Sequence, residues 1–192
     1  LLNKIFLFNK NLNVIIFGGL GDKNNANEII SNVNNTNIIS LVDKTTIMQC
    51  ASIISKCNLY LGNDCGLMHI ASMMGLNCIA LFSIHQKKGI WEPFGDENII
   101  IRSNLDEKLG DSIDLSDVKK SMELITVQQV YDEVINTFNK AGEDSIRLYK
   151  EGLKVGQWKE GDAEGHYLNG QKNGKWTNQM CSAVIGSFKL NC

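Results

Sequence analysis

A short segment near the middle of the chain holds a carboxylate, a thiol, a glycine and an imidazole in sequence order: Asn63, Asp64, Cys65, Gly66, Leu67, Met68 and His69. It lies between the apolar run Leu59–Gly62, which predicts a buried strand, and residues with helical spacing. The first turn of a helix has unpaired backbone N–H groups and a dipole that attracts anions. Gly66 would let a phosphate approach that backbone closely. The segment therefore predicts an anion-binding turn.

Two side chains of this turn each have two interpretations. Asp64 either accepts a hydrogen bond from a sugar or ribose hydroxyl, or caps the helix, which is worth ~1 kcal/mol. His69 either donates to a phosphate or sugar, or packs on the sheet with one satisfied nitrogen. The residues alone leave both choices open.

A second glycine-containing loop follows the β-branched run Leu12–Phe17, which predicts another buried strand. Gly18 and Gly19 stand where a strand gives way to a loop. They lack the G-x-G-x-x-G spacing of a dinucleotide fingerprint, so NAD binding is poorly supported.

A third loop carries positive charge. His85, Lys87 and Lys88 follow the apolar run 78–82, and a cation there could reach a diphosphate. A solvated loop is the competing and favoured interpretation.

Apolar runs alternate with helical segments along the first 140 residues or so. Strands are predicted at 12–17, 37–42, 59–62, 78–82 and 98–102, and helices at 24–33, after the capping box at Thr46, at 67–74 and at 126–138. This alternation predicts an α/β fold, a parallel sheet with helices on both faces. Ligands of such sheets bind at the carboxyl ends of the strands, where the three loops lie. Residues 103–121 are predicted to be an exposed connection, and Met73, Met74 and Trp91 are predicted to fill the core.

Composition excludes several classes of protein. The chain has 192 residues, 43% of them apolar and 21% charged, which suits one globular domain with a small appendage. A net charge of −2 offers no general attraction for nucleic acid. No apolar stretch has the length of a membrane span and no signal peptide is recognisable, which predicts a cytoplasmic protein.

The six cysteines do not indicate disulfides or a metal site. No C-x-x-C pair occurs, so buried free thiols are the favoured interpretation. Cys50 and Cys57 share a helix face, but no further ligands complete a tetrahedral set. Cys65 and His69 at one helix end do not form a protease site, because no third group orients them.

The C-terminal part contains an internal repeat. The pattern Y-x-x-G-x-K-x-G-x-W begins at Tyr149 and again at Tyr167. Glycines flanked by aromatic residues predict successive β-hairpins. The predicted domains are therefore 1–142 for the α/β part and 145–192 for the repeats, which resemble MORN repeats. A last strand is expected at 183–188.

The central turn, with its Gly-Asn-Asp-x-Gly-x-Met-His-Ile-Ala sequence from Gly62, resembles glycosyltransferase family 9, the lipopolysaccharide heptosyltransferases. Further similarity lies in the strand and glycine pair Val14–Gly19, in Asp43-Lys44-Thr45, and in the helix after Ile125. Members have two Rossmann-like halves in the GT-B arrangement, and the first 140 residues or so resemble the C-terminal, donor-binding half. The family usually has Ser or Thr where Cys65 stands, and Pro where Leu67 stands.

The resemblance implies binding of a nucleotide-diphosphate sugar for transfer to a glycan or lipopolysaccharide acceptor. No metal or cofactor is needed if the helix dipole and the backbone amides carry the diphosphate. The resemblance assigns the donor to Gly18, Gly19, Asp64, Cys65, Gly66, Met68 and His69. Lys87 and Lys88, named above for their charge alone, are the candidates for further diphosphate contacts. The resemblance names no catalytic residue, because the family places its base and acceptor site in an N-terminal half that the chain is expected to lack. It also allows attachment at the inner face of the membrane. The alternative is a non-catalytic domain that binds a nucleotide, or a protein partner through the repeats.

Overall fold

The computed structural model describes residues 1–103 and 114–146, followed by the strand segments 149–150, 153–154, 156–160, 163–168, 171–178 and 182–185. The chain forms two compact units. One holds Leu1–Tyr131 together with Cys181–Cys192, and the other holds Asp132–Met180.

The first unit contains a six-stranded parallel sheet. Its strands are β1 (Asn13–Ile16), β2 (Ile38–Ser40), β3 (Leu59–Asn63), β4 (Asn77–Phe82), β5 (Ile99–Arg102) and, from the end of the chain, β11 (Ser182–Ile185). The strand order is β2-β1-β11-β3-β4-β5, with every neighbouring pair parallel. The predicted α/β fold with a parallel sheet is confirmed.

The helices are α1 (Leu2–Phe8), α2 (Lys23–Ser31), α3 (Ile47–Ile54), α4 (Gly66–Met73), α5 (Leu115–Glu123) and α6 (Val127–Ile146). The predicted capping box is confirmed at α3, because Thr46 Oγ1 accepts from the N–H of Gln49 and the Gln49 side chain accepts from the N–H of Thr46. This exchange fixes where α3 begins after β2.

The expectation of an exposed connection over 103–121 is wrong for its second half, which is helix α5. Asp114 caps this helix, since its Oδ1 accepts from the N–H groups of Ser116 at 2.7 Å and Asp117 at 3.0 Å. Asp and Ser are frequent in turns and also at helix starts, so composition alone does not separate the two. Residues 104–113 lie outside the described part of the chain.

Strands β3 and β4 are buried on both faces, which explains why their sequences are apolar throughout rather than alternating. Tyr60, Cys78 and Phe82 pack with the inner faces of α3 and α4 in one cluster. The alternate residues of these strands, including Leu61 and Ile79, are also buried. These two strands position the turn that precedes α4.

Strand β11 lies where the sequence does not predict it. The pattern places a 183–188 strand in the repeat tail, but Ala183 pairs with Val14 of β1 and with Leu59 of β3, in the interior of the sheet. A short β-branched run carries no information about its pairing partner. Residues 186–188 are outside the described segments.

In the second unit, β6 (Tyr149–Lys150) pairs with β7 (Leu153–Lys154). Strands β8 (Gly156–Glu160), β9 (Ala163–Leu168) and β10 (Gln171–Asn178) form a separate sheet in the order β10-β9-β8. All of these pairs are antiparallel, as hairpins require. The relation of this unit to MORN repeats stays a prediction.

Two further findings concern the described residues alone. Cys50, Cys57, Cys65 and Cys78 are free thiols. Within the same described ranges, none of the helices combines the length and the apolar character needed to cross a membrane.

Candidate functional site

The turn between β3 and α4 lies at the carboxyl edge of the parallel sheet. Strand β3 ends at Asn63 and α4 begins at Gly66, with Cys65 as the extended residue before the helix. The backbone N–H of Asp64 donates to the carbonyl oxygen of Leu81 in β4, at 3.2 Å. This bond fixes the turn against the neighbouring strand. The residue in the capping position is therefore Cys65, and the interpretation of Asp64 as the helix cap is wrong.

The side chain of Asp64 instead faces His69 one helical turn along. His69 Nε2 lies 3.9 Å from Asp64 Oδ1, and the two side chains are 36% and 22% exposed. That distance is too long for a direct hydrogen bond. A carboxylate and an imidazole, both partly exposed, thus stand together at the first turn of α4 with hydrogen-bonding capacity left for a ligand.

Gly66 is exposed, and a Cβ built on it would meet no heavy atom within 4 Å. Nothing in the surrounding protein therefore requires a glycine at this position. Gly66 is the first residue of α4, so this exposed position is beside the unpaired backbone N–H groups of the helix start, where an anion is favoured.

Two of the predicted donor residues turn their side chains inward. Met68 is fully buried and packs in the core beside Ala71. Its side chain is therefore not available to a ligand, because the third residue of α4 faces the sheet. The sulfur of Cys65 lies 3.3 Å from the hydroxyl of Tyr60, a fully buried residue. Burial raises the pKa of Tyr60 well above its usual value.

In the predicted glycine loop after β1, the carboxylate of Asp22 accepts a hydrogen bond from the loop's own backbone. The backbone N–H of Gly19 donates to Asp22 Oδ2 at 2.8 Å, and the backbone N–H of Asp22 donates to the carbonyl oxygen of Gly19 at 3.0 Å. A Cβ on Gly18 would lie 2.8 Å from the Cβ of Asp22. The close approach of Asp22 explains why residue 18 is a glycine. The same carboxylate already accepts the hydrogen bond of the Gly19 N–H. A donor contact at this loop stays a prediction.

The loop after β4 presents His85, Lys87 and Lys88 to solvent. The two lysines are exposed, as both interpretations of this loop require. Their contact with a diphosphate stays a prediction.

The prediction that Met73, Met74 and Trp91 fill the core is wrong: they are 74%, 49% and 64% exposed. The inner face of α4 is already occupied by Met68, Ala71 and Ser72. Trp91 lies in the loop between Gly89 and Pro93, residues typical of turns, and this flanking signal could have placed it outside the core.

The structure adds a polar atom that the sequence does not single out. Asn63 Oδ1, at the end of β3, is buried and has no hydrogen-bond partner among the described residues. The described ranges also contain no group of three or more His, Cys, Asp or Glu residues that could hold a metal ion.

A parallel sheet with helices between its strands, and an open helix start at the carboxyl edge, define a Rossmann-like α/β domain of the kind that builds GT-B proteins. Residues 5–115 match the model of glycosyltransferase family 9 (heptosyltransferase). The chain belongs to this family.

Two individual relatives are heptosyltransferases, in agreement with the family match. The chain is 30% identical over 79 residues to lipopolysaccharide heptosyltransferase 2 of Salmonella typhimurium, which covers 40% of this chain and 23% of that protein. It is 33% identical over 78 residues to lipooligosaccharide heptosyltransferase 2 of Campylobacter jejuni, covering 39% of this chain and 25% of the relative. The chain thus matches about a quarter of the length of these curated relatives.

Solved structures show the same fold. The E. coli ADP-heptose lps heptosyltransferase II superposes with a TM-score of 0.56 at 24% identity, covering 68% of this chain and 37% of that one. The family 9 glycosyltransferase of Veillonella parvula gives 0.55 at 19% identity, with 67% and 37% covered.

Proposed function

We propose that the first unit binds the nucleotide-diphosphate sugar used by a family 9 glycosyltransferase, for transfer of the sugar to a glycan or lipopolysaccharide acceptor. The observation that carries this proposal is the exposed start of α4 at Gly66, directly after the carboxyl end of β3. Membership of the family supports it. Because the E. coli relative is by name an ADP-heptose heptosyltransferase, ADP-heptose is the first donor to test.

The diphosphate lies at the first turn of α4. The unpaired N–H groups there and the positive end of the helix dipole stabilise its negative charge. Backbone groups do this without a metal ion or cofactor. The exposed Lys87 and Lys88 supply additional positive charge from the loop after β4.

Asp64 accepts a hydrogen bond from a hydroxyl of the ribose or of the sugar. A carboxylate beside a diphosphate repels it, so the contribution of Asp64 is a hydrogen bond and not an ion pair. His69, beside it, donates to a phosphate or sugar oxygen. These two side chains orient the donor through hydrogen bonds, while the start of α4 binds its diphosphate.

The location that goes with this function is the cytoplasm, at the inner face of a membrane that carries the acceptor. A second candidate function is favoured by the antiparallel strands β8–β10 in the second unit. Repeats of the MORN type, which this segment resembles in sequence, are usually interaction or structural modules. On that view, the first unit binds a nucleotide without catalysis and the repeats bind a protein.

The test is calorimetric titration of the 192-residue chain with ADP and with ADP-heptose. Saturable binding is expected, and Gly66→Val should abolish it, because the valine methyl groups fill the space in front of the backbone N–H groups. The fold should not change, since no heavy atom lies within 4 Å of that Cβ.

The matched control is Met73→Val, a β-branched substitution at an exposed position of the same helix. It should leave the affinity unchanged. Equal binding by wild type and Gly66→Val, or no binding by wild type at millimolar ligand, would refute the proposed function. Binding of ADP-heptose without transfer to any glycan acceptor would favour the non-catalytic alternative.

A further inference from the structure

Trp91 is 64% exposed and lies in the loop between β4 and β5. Its backbone has φ of 61°, in the left-handed region. This conformation is an outlier for a bulky residue. A residue in this conformation persists only where the surrounding structure holds it.

The loop is fixed on both sides of Trp91. Glu92 Oε1 accepts from the N–H of Gly89 at 2.9 Å and from Arg102 Nη2 at 3.3 Å. The Arg102 side chain is only 10% exposed, and its Nη1 also donates to the carbonyl oxygen of Gln86 at 2.7 Å.

On the other side, the N–H of Phe94 donates to Ser72 Oγ of α4, at 3.2 Å. The loop is thus tied to β5 and to α4 by residues next to Trp91 in sequence.

The ring lies next to the turn that precedes α4. The centroids of Trp91 and His69 are 6.4 Å apart with the planes at 69°, an edge-on contact. His69 in turn lies 3.9 Å from the carboxylate of Asp64. An exposed aromatic ring, an imidazole and a carboxylate therefore lie together at the start of α4. The ring comes from the β4–β5 loop, the carboxylate from the turn after β3, and the imidazole from α4 itself.

A pyranose ring has apolar C–H groups on its faces and hydroxyls around its edge. An aromatic surface suits the faces, and a carboxylate with an imidazole suits the hydroxyls. We propose that Trp91 is the surface on which the glycosyl ring of the donor packs, with Asp64 and His69 binding its hydroxyls. This inference rests on the proposed function and adds to it the residue that distinguishes a nucleotide sugar from the bare nucleotide.

The experiment compares two ligands, ADP and ADP-heptose, on the same variants. Trp91→Ala should weaken the binding of ADP-heptose by about three- to tenfold, the range expected for one aromatic contact. The affinity for ADP should stay within about twofold of the wild-type value. Trp91→Phe should recover most of the loss. Phe94→Ala removes an aromatic ring that is 81% exposed in the same loop, and it should change neither affinity.

A second measurement keeps the native residue in place. In the variant Trp158→Phe/Trp176→Phe, Trp91 is the sole tryptophan of the chain. Its fluorescence should shift on addition of ADP-heptose and not on addition of ADP.

Equal weakening of both ligands by Trp91→Ala, or unchanged fluorescence with bound ADP-heptose, would overturn the inference while leaving donor binding at Gly66 intact. Failure of the wild-type chain to bind either ligand would overturn both proposals.

Discussion

The hydroxyl of Tyr60 and the sulfur of Cys65 lie 3.3 Å apart, so strand β3 and the residue that precedes helix α4 are linked by a side-chain hydrogen bond. Tyr60 is fully buried, and a Cβ on Gly62 would lie 2.7 Å from its oxygen. The glycine at 62 thus makes room for the tyrosine that reaches the thiol. Cys65, in the position where the family usually has a hydroxyl residue, is directed toward the core and not toward the open side of the turn.

Cys65→Ser should strengthen the binding of ADP by about three- to tenfold, the value of one added hydrogen bond. The C–O bond is shorter than the C–S bond, so the serine oxygen lies farther from Tyr60 and can rotate to donate to a phosphate. Titration calorimetry measures the gain. Cys57→Ser makes the same chemical change at another free thiol and should leave the affinity unchanged. An unaltered affinity in Cys65→Ser would show that the serine hydroxyl stays on Tyr60 and does not turn toward the ligand, which would contradict the prediction.

Gly18→Ala should lower the free energy of unfolding by about 1–3 kcal/mol, the usual cost of overpacking. Its Cβ would lie 2.8 Å from both the Cβ and Oδ2 of Asp22, and the turn would have to open. Urea denaturation measures the loss. Gly21→Ala is the control, because a Cβ there meets nothing within 4 Å. Equal stability of the two variants would contradict the tight turn.

Local chemistry makes much of the fold predictable. The strands β1 to β5 are apolar runs that stop at glycines, asparagines or other polar residues, and Thr46 begins α3 through a capping box. The turn at Asp64 is predictable because a strand, a glycine and a helix start follow one another directly. These features depend on neighbours in sequence, which periodicity and capping rules describe well.

Other features depend on residues far apart in the chain. The inward direction of Cys65 follows from Tyr60 and Gly62 packing together, and the exposure of Trp91 follows from Arg102 holding the loop. Residues at helical spacing, such as Met68, look alike whether they face a core or a ligand. Only the position of the sheet behind α4 separates the two cases.

The stability of the first unit should fall in alkaline solution. Burial raises the pKa of Cys57 from 9.0 to about 11 and that of Cys78 from 9.0 to about 12. Well below pH 9 both thiols are protonated in the folded and the unfolded chain, so their contribution to stability does not change with pH there. Above it the unfolded chain loses these protons first, and stability declines as the pH rises toward the folded values.

Urea denaturation at about pH 8 and about pH 10 tests this dependence. The midpoint should be lower at the higher pH, and Cys57→Ser should reduce the difference because one titrating thiol is gone. A midpoint that stays the same at both values would mean that the thiols are not buried in solution.

Strand β11 should be required for the sheet, because β1 and β3 pair with it and not with each other. Val184 stands in register with Ile15 on one side and Tyr60 on the other. Val184→Pro removes a backbone N–H and a ladder bond in the interior of a parallel sheet, which should cost about 3 kcal/mol or more. Val184→Ile keeps the β-branched residue and should change the stability little.

Urea denaturation followed by circular dichroism measures both variants. A further check is hydrogen exchange at Leu61 of β3, whose register partner in the inserted strand is Ile185. Exchange in β3 should accelerate in Val184→Pro and not in Val184→Ile. Equal midpoints and equal exchange would mean that residues 182–185 do not complete the sheet in solution. Loss of cooperative unfolding in Val184→Pro alone would instead establish that residues 182–185 are part of the fold of the first unit.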